Sequence, residues 1–213
     1  MTLRVQAVLY DGVEDQDLVG PLGALDVVDD VRTTFVTLGG PGTVTTSFGM
    51  EVRAGAALDP ARADLVVVPG GGYGAGSAVD RQVRSGALPR ALAEAARPGL
   101  IMAGVCTGTL LLSAAGLTAG RPCTTHHAAT QDLAAQGAEV VAGRVVDDGD
   151  LVTCGGVTSG IDLGLWLVER LYGAQAALLA EQILEHERRG TVWRRPAARG
   201  GEEAAEEAPA VPA

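Results

Sequence analysis

Lysine and asparagine are absent from this 213-residue sequence, so all 16 of its basic side chains are arginines. Without lysine a P-loop is impossible, and the GxGxxG fingerprint is missing as well. No five basic residues cluster, aromatics make up 3% of the chain and the formal net charge is −10. The basic, aromatic-studded footprint that neutralises and stacks on nucleic acid is therefore lacking, and no direct nucleic-acid partner is expected. Cysteine is scarce. Cys106, Cys123 and Cys154 are odd in number and far apart, which argues against a disulfide framework and a CxxC zinc site and favours a reducing compartment. No run of about 20 apolar residues is available to cross a membrane. The start, MTLRVQAVLYDGVEDQD, has one arginine, a short apolar run and then acids, unlike a secretory signal. The expectation is a soluble, cytoplasmic protein with no membrane partner.

What is present is a chain 47% hydrophobic, long enough for one well-filled core. Short apolar runs alternate with amphipathic stretches, the pattern of an α/β architecture with a largely parallel sheet. Strands are predicted at 3–10, 33–39, 64–68, 100–105, 122–126, 139–146 and 150–154, with a hairpin over 44–52. Helices are predicted at 17–28, 80–96, 107–116, 128–136, 158–173 and 174–189. Pro21 fits only the first turn or so of its helix, and Gly86 and Pro89 interrupt the helix at 80–96. From Pro196 the composition shifts to Pro, Ala, Gly and Glu, so residues 1–195 are read as one domain and 196–213 as a disordered acidic tail.

The sharpest chemical signal is Gly104-Val105-Cys106-Thr107-Gly108, set where an apolar strand turns into a helix. It is the cysteine form of the G-x-S-x-G nucleophile elbow. Glycines two before and two after the cysteine leave room for a tight turn. That turn would thrust the thiol into the open at the carboxyl edge of the sheet, with helix amides favouring thiolate. The ordinary alternative is a buried structural cysteine. Pro69-Gly70-Gly71-Gly72 follows another strand, so the Gly71 and Gly72 amides would face the same edge and could steady a developing negative charge; otherwise it is a flexible loop. Asp17, after the first strand, reads either as the N-cap of the next helix or as an acid beside the thiol. His126 and His127 follow a short strand and could approach the elbow, but adjacent histidines with no matching Cys or acid make no metal site. His186 reads as a solvated side chain in a charged helix, and Cys123 and Cys154 as core.

The succession PGGGYG, AGVCTGT, TTH and GGVTSGIDLGLWLVE resembles the ThiJ/PfpI superfamily over nearly all of residues 3–190. The resemblance implies a three-layer sandwich of the flavodoxin-like, class I glutamine amidotransferase-like kind. Asp17 within DLVGP, Thr107 after the cysteine and the TTH strand end (Thr124, Thr125, His126) are most similar to the isocyanide hydratase branch. His127 stands where that branch often has an aromatic. The implied activity is hydration of an isocyanide to an N-substituted formamide. Cys106 would be the nucleophile, Asp17 the proton carrier and Thr107 a tuning group; Gly71, Gly72, Thr125 and His126 would bind substrate or developing charge. No cofactor and no metal are implied, and a homodimer with the site near its interface is. Two other activities remain open. One is a redox or electrophile sensor or regulatory domain, as in AraC-type regulators, where DNA binding would need a separate chain. The other is glyoxalase or deglycase chemistry, weakened because Thr107 stands where a histidine commonly follows the cysteine in those branches.

Overall fold

The computed structural model describes residues 2–195; the tail expected at 196–213 lies outside the described residues. β1 (Leu3–Val8) leads through α1 (Asp15–Leu25) to β2 (Val31–Thr37). β3 (Gly42–Thr45) and β4 (Glu51–Ala54) make the expected hairpin as a separate antiparallel ribbon, and β5 (Ala56–Ala57) returns to the main sheet. β6 (Leu65–Val68), α2 (Ala78–Ser85), α3 (Ala87–Ala95), β7 (Ile101–Val105) and α4 (Gly108–Ala114) follow. The chain continues through β8 (Pro122–Cys123), α5 (Thr130–Ala135), β9 (Glu139–Val140), β10 (Val145–Asp147) and β11 (Leu151–Cys154). It closes with α6 (Ser159–Tyr172), α7 (Ala174–Leu184) and β12 (Trp193–Arg194).

The main sheet runs β12-β10-β11-β7-β6-β1-β2-β5, and only the β10–β11 pair is antiparallel. β6 is LVVV with every residue buried, and β7 is buried beyond its first residue, because helices cover both faces. α1, α6 and α7 pack together as one layer and α2, α3 and α4 as the other. The result is the three-layer, mostly parallel α/β sandwich of flavodoxin-like type. No helix among the described residues is long and apolar enough to cross a membrane.

Four local readings need correction. Pro21 lies well inside α1 rather than in its first turn. It is accommodated because α6 presents glycine on one face at positions 160 and 164, four apart. A Cβ on Gly164 would stand 2.5 Å from the Pro21 carbonyl oxygen, and one on Gly160 2.9 Å from the proline ring. The predicted strand 139–146 is two strands in different sheets, since β9 pairs with β8 and β10 with β11. α7 stops at Leu184, where Glu185 takes a left-handed conformation (φ 47°) that ends the helix. β12 carries no periodicity that a sequence reading could detect, being two residues long.

Candidate active site

β1, β6, β7 and β11 run parallel and side by side, so their carboxyl ends open onto one edge. β1 sits where the chain order reverses, with β2 on one side and β6 on the other; ligand sites of open α/β sheets form at such a point. The start of α1 and three loops converge there. The helix brings Asp17, and the loops carry the Gly70–Gly72 stretch, Cys106 with Thr107, and Gly155 to Thr158.

Cys106 is the residue at the turn itself, held at φ 55° where a side chain seldom sits. Its amide donates to the Gly155 carbonyl (3.2 Å), and its own carbonyl accepts the Thr125 hydroxyl (2.8 Å). The two latches hold the strained conformation in place. The glycines act as expected of an elbow. A Cβ at Gly108 would come 2.0 Å from the Val68 carbonyl oxygen, and one at Gly104 2.7 Å from Thr109 Oγ1. The thiol is not thrust into the open, however; Cys106 is only 6% exposed.

Asp17 is no N-cap. It lies inside the first turn of α1, fully buried, and Glu14 occupies the capping position. Oδ2 accepts the Gly70 amide at 3.1 Å, while Oδ1 has no hydrogen-bond partner among the described residues. The Cys106 thiol and the Val157 amide lie near enough to this carboxyl to influence its ionisation, and the amide influences the thiol as well. Gly70 is what lets the parts close up. A Cβ there would stand 2.5 Å from Thr107 Oγ1 and 2.7 Å from Asp17 Oδ2. The Gly71 amide turns inward onto Thr107 Oγ1 at 3.3 Å rather than toward a substrate, whereas Gly72 (φ 79°) is exposed. The glycine loop is pinned in turn, since Tyr10 donates its hydroxyl to the Pro69 carbonyl (2.7 Å) and the Glu14 amide donates to that of Gly70 (2.8 Å).

Burial dominates the electrostatics. It pushes the Asp17 carboxyl up to about 7; the nearby Glu14 charge adds to this, while the nearby thiol, the Gly70 hydrogen bond and the nearby Val157 amide pull the other way. Burial likewise raises the Cys106 thiol to about 12, helped by the Asp17 charge and opposed by the Val157 and Thr107 amides. The helix start is thus outweighed, and the thiolate expected from it is not the resting state. Two acidic groups share one dry site, and near neutral pH they hold at most one negative charge between them. That arrangement can move a proton between sulfur, carboxyl and a third atom bound beside them.

Thr125 is 2% exposed with its hydroxyl spent on the elbow backbone. His126 packs its ring on Gly156, where a Cβ would meet the ring at 2.3 Å, and its Nδ1 accepts the Ala128 amide at 3.2 Å. Partial burial and the neighbouring His127 keep His126 below its ordinary value. Cys123 and Cys154 are fully buried among core residues. His186 is not a solvated helix residue; it lies beyond α7 and its Nε2 meets Asp162 Oδ1 at 3.1 Å. Two contributors escaped the sequence reading. Val157, β-branched yet at φ 50°, gives no compositional sign of a left-handed residue. Arg144 Nη2 donates to Thr158 Oγ1 (3.1 Å), and its backbone carbonyl accepts the Gly155 amide (3.0 Å). The available signal was the Gly155-Gly156 pair at the end of β11, on the same sheet edge as Cys106.

A cysteine on a strained strand-to-helix turn, at the carboxyl edge of a flavodoxin-like sheet and beside a buried carboxyl, defines the class to which this site belongs. Comparison with known proteins narrows it. A family model described as DJ-1/PfpI matches residues 3–170. An isonitrile hydratase of Pseudomonas putida is 36% identical over 187 residues, covering 87% of this chain and 79% of that protein. A deglycase of Thermococcus kodakarensis is 29% identical over 154 residues, covering 71% of this chain and 89% of that one. Among solved structures, a ThiJ/PfpI family protein from Pseudomonas syringae has a TM-score of 0.79 at 25% identity, covering 95% of this chain and 80% of that one. The chain belongs to the DJ-1/PfpI family.

Proposed function

We propose that the protein hydrates an isocyanide, R–N≡C, to the N-substituted formamide. The observation that carries this reading is the buried Asp17 carboxyl, pushed up to about 7, against the Cys106 thiol. An isocyanide carbon must receive both a nucleophile and a proton, and this pair supplies one of each. The 36% identity to an isonitrile hydratase supports the same choice.

Sulfur bonds to the terminal carbon, and the proton leaving the thiol reaches that carbon through Asp17, giving the thioimidate Cys106–S–CH=N–R. Asp17 then takes a proton from water as the oxygen adds to the C=N carbon and the nitrogen is protonated. The C–S bond breaks, the thiol recovers its proton and R–NH–CHO leaves. Water and the two side chains balance both steps, so the reaction calls on no cofactor. With Oδ2 fixed by Gly70, Oδ1 is the free oxygen for this traffic. The Thr107 and Val157 amides, which reach the sulfur, steady charge as it moves.

The reading includes a cytoplasmic homodimer. Supporting it, Val19, Phe48 and Met50 are 54, 70 and 49% exposed. The Phe48 amide sits on Asp15 (3.0 Å), one turn before Val19 on the helix that carries Asp17. A face of this kind beside the site suits a second copy. The sensor alternative needs an accessible, acidic thiol, and a cysteine 6% exposed and raised to about 12 does not favour it.

The test is formamide production from an aryl isocyanide, followed by absorbance. Wild type is expected to turn over, with Cys106→Ala inactive and Asp17→Asn reduced by at least about 10³-fold. Full turnover by Cys106→Ala, or none by wild type, overturns the reading.

A further inference from the structure

The loop that carries Val157 latches the cysteine turn, because the Gly155 carbonyl accepts the Cys106 amide at 3.2 Å, yet Val157 holds a backbone conformation that costs a β-branched residue of order 1–3 kcal/mol. Something must hold it there. The short loop from Gly155 to Thr158 has a latch on each side, and both belong to one residue. The Gly155 amide donates to the Arg144 carbonyl (3.0 Å), and Arg144 Nη2 donates to Thr158 Oγ1 (3.1 Å). Arg144 Nε reaches onward to Asp162 Oδ2 in α6. Asp162 is 3% exposed and takes two further partners, His186 Nε2 at 3.1 Å and the Arg189 amide at 3.3 Å. These tie it to the segment after α7. Gly156 is clamped between, because the His126 ring fills the space where a Cβ would go.

We propose that Arg144 is a positioning residue that holds the Gly155–Thr158 loop against the Cys106 turn, braced through Asp162 by His186 and the Arg189 amide. It touches neither the sulfur nor the carboxyl and acts through Thr158, Gly155 and the start of α6. The Ser159 and Gly160 amides close the turn on the Gly156 and Val157 carbonyls (3.1 Å each), and Arg144 is what fixes that closed turn to the start of β10. The planar fork is what spans from Thr158 to Asp162, so lysine is a poor replacement. The inference rests on the reading of Cys106 and Asp17 as a reactive pair but not on the identity of the substrate.

The test is the pH profile of Cys106 alkylation by iodoacetamide, read by mass spectrometry on the full chain, for wild type, Arg144→Ala, Arg144→Lys and Thr158→Val. Loss of an N–H bond to a charged group is worth about tenfold or more in ionisation. Arg144→Ala is therefore expected to slow Cys106 labelling about tenfold throughout the range from about pH 7 to about pH 9. Arg144→Lys should do nearly the same, and Thr158→Val should slow it less, about threefold. An unchanged or faster rate in a folded Arg144→Ala overturns the proposal. If that variant does not fold, Thr158→Val decides: a wild-type or faster rate overturns it and a slowed rate supports it. Because alkylation needs no isocyanide, failure of hydration in the wild type would remove the proposed function without altering this outcome.

Discussion

β6 has an aspartate at each end, and the two behave in opposite ways. Asp64 precedes the strand, where the Arg4 guanidinium grips it at 2.9 and 2.7 Å. That hydrogen-bonded pairing holds its carboxyl below the usual range. Asp17 meets Gly70, two residues past the strand's other end, with one backbone amide on Oδ2 and no cation, and burial lifts it to about 7. The glycines that bracket β7 divide the same way. Gly99, before it, faces open space, whereas Gly108, after it, has no room for a single methyl. The amino edge of the sheet is ordinary protein surface. The carboxyl edge is dry, crowded and strained, and there a carboxyl binds a proton it would lose in water and a thiol holds its own more tightly.

The contrast is broken most severely at Gly108. Gly108→Ala places a carbon against the Val68 carbonyl and is expected to destabilise the protein by at least about 3 kcal/mol in urea unfolding. Gly99→Ala, strained only by its φ of 83°, should cost about 1 kcal/mol. Equal losses would mean that the two edges are equally forgiving. A second comparison uses pH. The folded chain binds the Asp17 proton more tightly than the unfolded one, so this residue lowers stability as pH rises from about 4 to about 7. The full penalty, on the order of a few kcal/mol, applies above that window. Asp17→Asn should flatten this slope and make the variant the more stable chain at pH 8; parallel wild-type and variant curves would sink the assignment. The smallest effect is expected at Asp64. Its depressed carboxyl contributes stability above about pH 4 that is lost on acidification. The pair is largely exposed, so Asp64→Asn should cost about 0.2–1 kcal/mol at pH 7 and leave Cys106 alkylation unchanged.

Residue types and spacing made much of this legible. Apolar runs announced β6 and β7, and the glycines around Cys106 announced a turn that the structure shows at φ 55°. Asp17 was legible as a residue but not in its surroundings. Spacing fits a cap as well as an acid, and only the approach of β6 and α4 turns the carboxyl inward. The thiol's burial was hidden for the same reason, since it depends on loops far apart in sequence. Val157 left no trace, because a left-handed valine is imposed by what packs around it. The division of 139–146 between two sheets is likewise a tertiary outcome, one that a single apolar run cannot encode.

The order in which the site's parts occur along the chain has a temporal consequence. β1, β2, β6 and β7 are synthesised before the Cys106 turn and can pair as soon as they emerge. The carbonyl of Gly155 and the amide of Val157 follow about 50 residues later, and Arg144 shortly before them. At a translation rate of 5–20 residues per second, the cysteine spends roughly 3–10 s as an unlatched thiol at the edge of an unfinished sheet. In the cell, the nascent chain is therefore more open to oxidants and electrophiles than the finished protein, whose own fold shields the thiol.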